Sequence, residues 1–179
     1  MRQKIPVFKK DICKKGQKMK NLTSMASSVG TLLKERSDTV SVAESSTGGL
    51  VSAALLSVPG ASSYFVGGGA VYTVQAREAF LKLNMDDYPE LRASTETYAL
   101  LTAKLIRDQL GTVWGLSETG AAGPTGNRYG DAAGHTCIAV VGPSEFSTTL
   151  KTGKADREDN MWVFAEKTLR VFEEVLKGV

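Results

Sequence analysis

The first predicted β-strand, residues 39–43, ends in a cluster of hydroxyl side chains and glycines. Residues 44–49 read Glu-Ser-Ser-Thr-Gly-Gly and lead directly into a short apolar helix at 50–56. Ligands of open α/β sheets bind beyond the carboxyl ends of strands, and a helix N-terminus favours anions. Two interpretations are open: Ser45 faces a ligand beside potential oxyanion donors, or the hydroxyl residues only cap the helix.

A second glycine-rich junction follows the third predicted strand, residues 113–119. From Thr119 the chain reads Thr-Gly-Ala-Ala-Gly-Pro-Thr-Gly, within a loop at 120–134 that holds five glycines. Glycine lets a backbone approach a ligand closely, and structureless loops longer than about twelve residues are usually functional. The alternative is an ordinary glycine-rich loop. The ligand-binding candidates from the two junctions are Ser46, Thr47, Gly48, Gly49, Gly120, Gly123 and Gly126.

Neither junction matches a known nucleotide-binding signature, since the chain contains no GxxxxGK[ST] and no GxGxxG. The single histidine, His135, has no carboxylate or cysteine neighbour at metal-ligand spacing. A structural role for this histidine is therefore the better interpretation. We expect neither a metal nor another cofactor.

The elements that would position these junctions alternate between strand and helix. Because the last two strands are joined by only four residues, 142–145, they form an antiparallel hairpin. This order predicts a three-layer α/β/α domain around a five-stranded mixed, mostly parallel sheet. The remaining predicted elements are helices at 20–36, at 75–83, from a Ser94 cap to about 110, and from Asp156 onward, with strands at 65–72, 136–141 and 146–151.

Composition predicts one globular domain at 19–179, preceded by a basic and disordered tail at 1–18. The chain has 179 residues, of which 42% are hydrophobic and 23% charged, an ordinary globular balance. The tail holds seven basic side chains and one acidic one, so the rest of the chain carries a net charge of −3. An acidic body argues against nucleic-acid binding. No apolar run approaches the roughly 20 residues of a membrane-spanning helix.

Cysteine usage predicts a reducing compartment, and we expect the protein to be cytoplasmic. The chain has two cysteines, Cys13 and Cys137, which are too few for a disulfide scaffold. Cys137 lies in the apolar run 137–141, as expected for a buried core thiol.

Five separated blocks, in order, resemble the C-terminal domain of the CinA family, the nicotinamide-nucleotide amidases. The family pattern runs A-E-S-C-T-G-G, P-G-S-S with a following F, V-x-Y-[ST]-x-x-A-K, A-V-S-E, and T-G-x-A-G-P-x-G with a later K-P-V-G-T. The resemblance covers about residues 25–176. The matching blocks are 43–49, 59–62 with Phe65, 71–77, 93–96, and 119–126 with Gly134.

The resemblance implies a five-stranded mixed sheet between helices and a homo-oligomer. It also implies hydrolysis of the carboxamide of nicotinamide mononucleotide to nicotinate mononucleotide and ammonia, with a small pyridine nucleotide as ligand. By the same resemblance, Ser45 matches the nucleophile, while Tyr72 and Thr119 match further site residues. Arg157, or alternatively Lys154, would hold the substrate phosphate.

The sequence departs from the family pattern at the position of the catalytic lysine, which here is Arg77. A neutral lysine can accept a proton from a serine hydroxyl, whereas arginine stays protonated in proteins. Arg77 therefore cannot act as the general base, although it can bind an anion, and Glu44 is the nearest alternative base in sequence. Further departures are Ser46 for the family's cysteine, Asp131 for its second lysine and His135 for its threonine.

Two functions follow. The first is an amidohydrolase acting on a pyridine nucleotide or related amide, with Ser45 as nucleophile. The second is a catalytically impaired relative that keeps the pocket as a ligand-binding, nucleotide-sensing or scaffold domain. The retained Glu44, Ser45, Tyr72 and Thr119 favour the enzyme, and Arg77 favours the binding domain.

Overall fold

The computed structural model describes residues 12–179, which form five α-helices, two short 3₁₀-helices and five strands. None of the helices in this range is long and apolar enough to cross a membrane. The helices are α1 (Ile12–Arg36), α2 (Leu50–Leu56), α3 (Val74–Leu81), α4 (Glu96–Leu110) and α5 (Arg157–Lys177). The strands are β1 (Val40–Glu44), β2 (Phe65–Ala70), β3 (Trp114–Ala121), β4 (His135–Val141) and β5 (Glu145–Lys151).

The strands form one mixed sheet in the order β2-β1-β3-β4-β5. Strand β1 pairs in parallel with both β2 and β3, whereas β4 is antiparallel to β3 and to β5. Four of the five strands therefore run in the same direction, and β4 alone is reversed. The predicted five-stranded mixed α/β fold with its closing hairpin is confirmed.

Helices cover both faces of the sheet. One face packs against α1, α2 and α5, and Val40 and Val42 of β1 belong to that core together with Trp114 of β3. The other face packs against α4, with α3 beside it, and there Ala43 contributes to the core. Because side chains alternate along a strand, the odd and even positions of β1 and β3 serve different layers.

Several boundaries differ from those expected; for example, β2 ends at Ala70 rather than at residue 72, and α3 ends at Leu81 rather than at residue 83. Helix α1 begins at Ile12 rather than near residue 20. The earlier start was not predicted, because the first turns hold many lysines and lack the apolar spacing that marks a packed helix. Strand β3 continues to Ala121, since its pairing with β4 extends through Gly120 and Ala121. The cap of α4 is Thr95, whose hydroxyl accepts from the Tyr98 N–H. The part of the basic tail at 1–11 lies outside the described residues.

Candidate ligand-binding cleft

A cleft of about 360 Å³ opens at the carboxyl ends of β1 and β3 and beside α3 and α4. Five of the residues singled out in the sequence line it: Ser45, Tyr72, Arg77, Thr119 and Gly120. Strands β1 and β3 are adjacent and parallel, with Ala43 opposite Ser117, so their ends reach the same edge of the sheet. The other lining residues are Val71, Thr73, Val74, Ala93, Ser94, Tyr98, Asn127, Arg128 and Tyr129.

Ser45 is the first residue after β1 and is partly exposed in the cleft. Its backbone N–H points toward Glu118 Oε2, at 3.3 Å. Within the described residues its hydroxyl has no hydrogen-bond partner. The Ser45 hydroxyl is therefore free to contact a ligand.

Glu44 is fully buried behind this serine and caps helix α2 with its carboxylate. One oxygen, Oε2, accepts from the backbone N–H groups of Gly49 and Val51, at 2.9 and 3.1 Å. The other, Oε1, accepts from the backbone N–H and the hydroxyl of Ser52, at 2.8 and 2.6 Å. The anion expected at this helix N-terminus is thus the chain's own carboxylate. A role for Glu44 as general base is not supported, because both oxygens already accept hydrogen bonds and Glu44 is not among the residues that line the cleft.

A second buried carboxylate, Glu118 of β3, holds the rest of the 45–47 turn. It accepts from the Ser46 hydroxyl and from the Thr47 N–H, the latter at 2.9 Å. The hydroxyl of Thr136 in β4 donates at 2.6 Å to Oε1, the same oxygen that accepts from Ser46. The Thr47 hydroxyl lies 2.8 Å from Glu44 Oε2 and 3.1 Å from Glu118 Oε2, so it connects the two carboxylates.

These bonds correct two of the sequence assignments at the first junction. Ser46 and Thr47 are 3% and 0% exposed, and their hydroxyls are turned into the protein rather than toward a ligand. Gly48 and Gly49 have φ values of 65° and 100°, in the left-handed region that favours glycine. The structure therefore gives all four residues the task of shaping the turn that presents Ser45.

Arg77 projects from α3 into the cleft although the residue is only 7% exposed. Its Nη1 donates to the Tyr98 hydroxyl at 3.4 Å, and its guanidinium lies 5.9 Å from the centre of the Tyr98 ring. Within the described residues, no carboxylate forms an ion pair with Arg77. Burial raises the pKa of the Tyr98 phenol, although the hydrogen bond from Arg77 acts in the opposite direction.

The two candidates for holding a phosphate lie in different places. Arg157, at the start of α5, donates to the Gly123 carbonyl at 2.8 Å and to the Tyr72 hydroxyl at 3.1 Å. It therefore reaches the rim of the cleft through Tyr72. Lys154 lines a separate groove with Lys18 and Asp159, outside the cleft.

The glycines of the second junction permit close approaches within the chain itself. A Cβ on Gly120 would lie 2.3 Å from the His135 carbonyl oxygen, and one on Gly126 would lie 2.3 Å from the Asp131 carbonyl oxygen. At Gly123 the corresponding distance to the Ala155 carbonyl oxygen is 2.4 Å. Of these three glycines, only Gly120 lines the cleft. Their main role is therefore to allow close packing of the backbone, rather than close approach to a ligand as the sequence suggested.

An ion pair fastens residues 127–131 over one side of the cleft. Arg92 forms a bidentate pair with Asp131, at 2.6 and 3.1 Å, and Asn127 donates to the same carboxylate at 2.8 Å. The hydrogen bond from Arg92 is the main reason why the pKa of Asp131 lies below its ordinary value. The ring of Tyr129 lies between two guanidiniums, with the Arg92 carbon 5.6 Å and the Arg128 carbon 5.0 Å from its centre. We call residues 127–131 with Arg92 the clamp.

Four lining residues were not singled out from the sequence: Tyr98, and the clamp residues Asn127, Arg128 and Tyr129. An arginine–tyrosine pair inside a glycine-rich loop, Arg128-Tyr129, is a signal that would have identified the clamp. His135 has a structural contact, since its Nε2 lies 2.9 Å from the Ser94 carbonyl oxygen. Cys137 lies buried next to it, and burial raises the pKa of its thiol.

The charge of the cleft lining is positive. Its charged side chains are Arg77 and Arg128, and its lining includes no aspartate, glutamate, lysine or histidine. Within residues 12–179 no group of three His, Cys, Asp or Glu side chains is arranged to hold a metal ion. The lining therefore suits an anionic organic ligand and offers no metal-ligand set.

Comparison with known sequences identifies clear relatives. A family model described as the CinA C-terminal domain matches residues 22–176. A CinA-like protein of Nostoc sp. is 39% identical over 131 residues, which is 73% of this chain and 31% of the relative. A CinA-like protein of Trichormus variabilis is 36% identical over 143 residues, 80% of this chain and 34% of the relative. The chain thus spans about a third of the length of these relatives.

Solved structures share the fold at lower identity. A CinA superfamily protein from Klebsiella pneumoniae superposes with a TM-score of 0.82 at 20% identity, covering 88% of this chain and 99% of that one. A CinA superfamily protein from Escherichia coli superposes with a TM-score of 0.79 at 19% identity, covering 97% and 95%. These likenesses show that the chain shares the fold of these proteins.

Proposed function

This chain belongs to the CinA C-terminal domain family, and we propose that it is an amidohydrolase-related domain that binds an anionic, nucleotide-like small molecule while amide hydrolysis is impaired. One observation carries the proposal. The cleft presents the Ser45 hydroxyl beside a buried Arg77, and no lining side chain can take the serine's proton near neutral pH. The family pattern has a lysine at the position of Arg77.

The chemistry of amide hydrolysis explains why this lining matters. Attack by a serine oxygen on an amide carbon forms a C–O bond, and the hydroxyl proton must pass to an acceptor as the nitrogen leaves. Arginine stays protonated, and the Tyr98 phenol, whose pKa is raised, stays neutral. Glu44 and Glu118 are buried behind the 45–47 turn and already accept several hydrogen bonds. We therefore assign Ser45 and Arg77 to ligand binding, with Thr119 and the Gly120 backbone beside them.

The rim supplies further polar contacts for the same ligand. We propose that Tyr72, with Arg157 bonded to its hydroxyl, forms one side of the rim, and that Arg128 forms the other. Lys154 is not part of this proposal, because it lies on a different groove.

An active amidohydrolase with Ser45 as nucleophile is the second candidate. It is supported by the position of Ser45, whose hydroxyl lies in the cleft with no internal partner in the described residues. It requires a proton acceptor supplied by the ligand or by solvent.

The test compares turnover with binding on wild type, Arg77→Lys and Ser45→Ala. With nicotinamide mononucleotide we expect ligand-induced thermal stabilisation of the wild type but little ammonia release, because losing a general base typically costs about 10² to 10⁴ in rate. Arg77→Lys should raise ammonia release, and Ser45→Ala should remove that gain.

Two outcomes of this test would contradict the proposal. Robust turnover by the wild type that disappears in Ser45→Ala would establish the second candidate. Turnover that Ser45→Ala leaves unchanged would remove Ser45 from the mechanism.

The proposal extends to the domain bounds, the oligomeric state and the cellular location of the protein. We propose residues 19–179 as one functional domain, a homo-oligomeric state as the family resemblance implies, and a cytoplasmic location on the grounds of cysteine usage. Cys137 is a buried free thiol, which suits a reducing compartment. Light scattering on the purified chain tests the oligomeric state.

A further inference from the structure

Arg77 is a buried cation that the chain itself does not neutralise. The residue is 7% exposed, yet the only internal hydrogen bond of its side chain in the described range is the 3.4 Å contact with the Tyr98 hydroxyl. Arg92, by contrast, has a carboxylate partner in the bidentate Arg92–Asp131 pair. Burying a charge without a partner is unfavourable. A guanidinium has five N–H donors in a planar fork, so most donors of Arg77 remain available to a ligand.

The surroundings of Arg77 select the kind of anion. The lining contains no acidic side chain, and it places three tyrosines, Tyr72, Tyr98 and Tyr129, around the same space. A planar carboxylate fits a guanidinium fork through two parallel hydrogen bonds. The tyrosines add aromatic surface against which a ring can stack. The second cation, Arg128, is exposed at the mouth, where it can meet a hydrated group such as a phosphate.

We infer that the cleft selects a carboxylic acid over the corresponding carboxamide, with Arg77 as the residue that determines this specificity. The ligand class is an aromatic-ring carboxylate that carries a phosphate. The inference rests on the proposed small-molecule binding function. It adds that the site recognises the carboxylate group of its ligand. It involves no covalent step.

The preference for the acid over the amide follows from their hydrogen-bond donors and acceptors. A carboxylate offers two acceptor oxygens and a negative charge to a side chain that only donates. A carboxamide offers one acceptor oxygen, and its NH₂ group meets another donor. Hydrogen bonds to a charged partner are about twice as strong as neutral ones, so we expect the acid to bind roughly tenfold more tightly or better.

Calorimetric titration of the full chain with nicotinate mononucleotide and with nicotinamide mononucleotide tests the inference. Both probes carry the same ribose phosphate, so their affinity ratio reports only the acid or amide group. We expect the wild type to prefer the acid roughly tenfold or more, and Arg77→Gln to bring the two affinities within about twofold. Arg128→Gln should weaken both probes equally, and Arg170→Gln, on the exposed face of α5, should change neither.

Each remaining outcome decides a different point. Equal affinities, or tighter binding of the amide, would overturn the inference and leave the binding function standing. If Arg77→Gln weakened both probes equally, Arg77 would be a phosphate contact and the inference would again be wrong. Binding of neither probe by the wild type would overturn both the inference and the proposed function.

The unfolding temperature of the ligand-free variant shows whether a change in affinity comes from loss of the fold. Because Arg77 has no internal counter-ion, ligand-free Arg77→Gln should unfold at a temperature no lower than the wild type. If it unfolds early, Arg77→Lys replaces it, and the acid preference should then fall by a smaller factor because the charge remains but the fork is lost.

Discussion

Glu44 and Glu118 are two neighbouring buried carboxylates, and their hydrogen bonds explain the shape of the 44–49 turn. Five donors from the turn and the first residues of α2 reach Glu44, including the Thr47 hydroxyl. Charged acceptors at a helix N-terminus stabilise the helix, since its first N–H groups have no internal partner. The two glutamates therefore position Ser45 and need not take part in chemistry.

Glu44→Gln tests this structural role. A glutamine replaces one acceptor oxygen by an NH₂ group that faces N–H donors, so several buried donors lose their partner. We expect a loss of about 3 kcal/mol or more in the free energy of unfolding, measured by urea denaturation. Glu145→Gln, an exposed change at the start of β5, should stay within about 0.5 kcal/mol. An equally small loss in Glu44→Gln would show that the carboxylate is not the cap.

Residue types identified the cleft more reliably than they identified its contacts. Ser45, Tyr72, Arg77 and Thr119 all line it, because family motifs and strand ends mark where a ligand can reach. Ser46 and Thr47 do not, since a hydroxyl that serves a ligand and one that serves a buried carboxylate look the same in sequence. Both hydroxyls reach Glu118, 71 or 72 positions away and beyond any local pattern, and the Thr47 hydroxyl also reaches the nearby Glu44.

At the scale of elements, the clamp joins the loop after β3 to the segment before α4. Asp131 is 13% exposed and accepts from both Arg92 and Asn127, and the His135 ring lies 3.9 Å from it. The side-chain Oδ1 of Asn127 also accepts from the backbone N–H groups of Tyr129 and Asp131. These bonds hold Tyr129 and Arg128 in place at the cleft.

The clamp predicts a pH-dependent contribution to stability. Because the pKa of Asp131 is lowered on folding, its carboxylate stabilises the fold above the ordinary aspartate pKa, near 4. This contribution is lost as the pH falls through the lowered folded value. We expect Asp131→Asn to be less stable than wild type by about 1 kcal/mol at pH 7, with the gap closing below about pH 4.

Thermal unfolding from pH 3 to 8 measures that gap. Asp108→Asn is the matched control, because its pair with Lys104 is exposed and such pairs contribute little. A gap between wild type and Asp131→Asn that stays constant down to pH 3 would contradict the assignment.

Strands β3 and β4 approach each other closely at Gly120, and this contact carries another prediction. In Gly120→Ala the new methyl group would lie 2.3 Å from the His135 carbonyl oxygen and 2.8 Å from the Thr136 Cα, so backbone must move. We expect a loss of about 2 kcal/mol in ligand-free stability by urea denaturation. The control is Gly69→Ala in β2, where the nearest atom is a Phe80 ring carbon at 3.7 Å. Equal stability of the two variants would show that the strands adjust without cost.

At the scale of the whole molecule, the type of sheet could be predicted better than the ends of the helices. Alternating strands and helices with one tight link specify a mixed sheet, and the observed five-stranded sheet is mixed with a closing hairpin. The start of α1 could not be read from its sequence, because lysine and glutamine form helices without showing which face packs. The family model gives no information about the start of α1, because its match begins at residue 22.

The length of α1 makes removal of residues 1–18 the decisive experiment at this scale. Lys18 makes the described contacts of this segment: an ion pair with Asp159 at 2.5 Å, whose side chains are 39% and 53% exposed, and a cation–π approach of 5.9 Å to the Trp162 ring. Exposed pairs contribute about 0 to 1 kcal/mol, which corresponds to at most about 4 °C in a chain of this size. A chain beginning at Met19 should therefore unfold within about 4 °C of the full chain.

Removing residues 1–29 instead deletes Leu22, Ala26 and Val29, which are 2%, 0% and 0% exposed in the core shared with α2 and α5, and should prevent folding. A fall of about 8 °C or more on removing 1–18 alone would mean that the first turns of α1 support the core, and that the domain begins before residue 19.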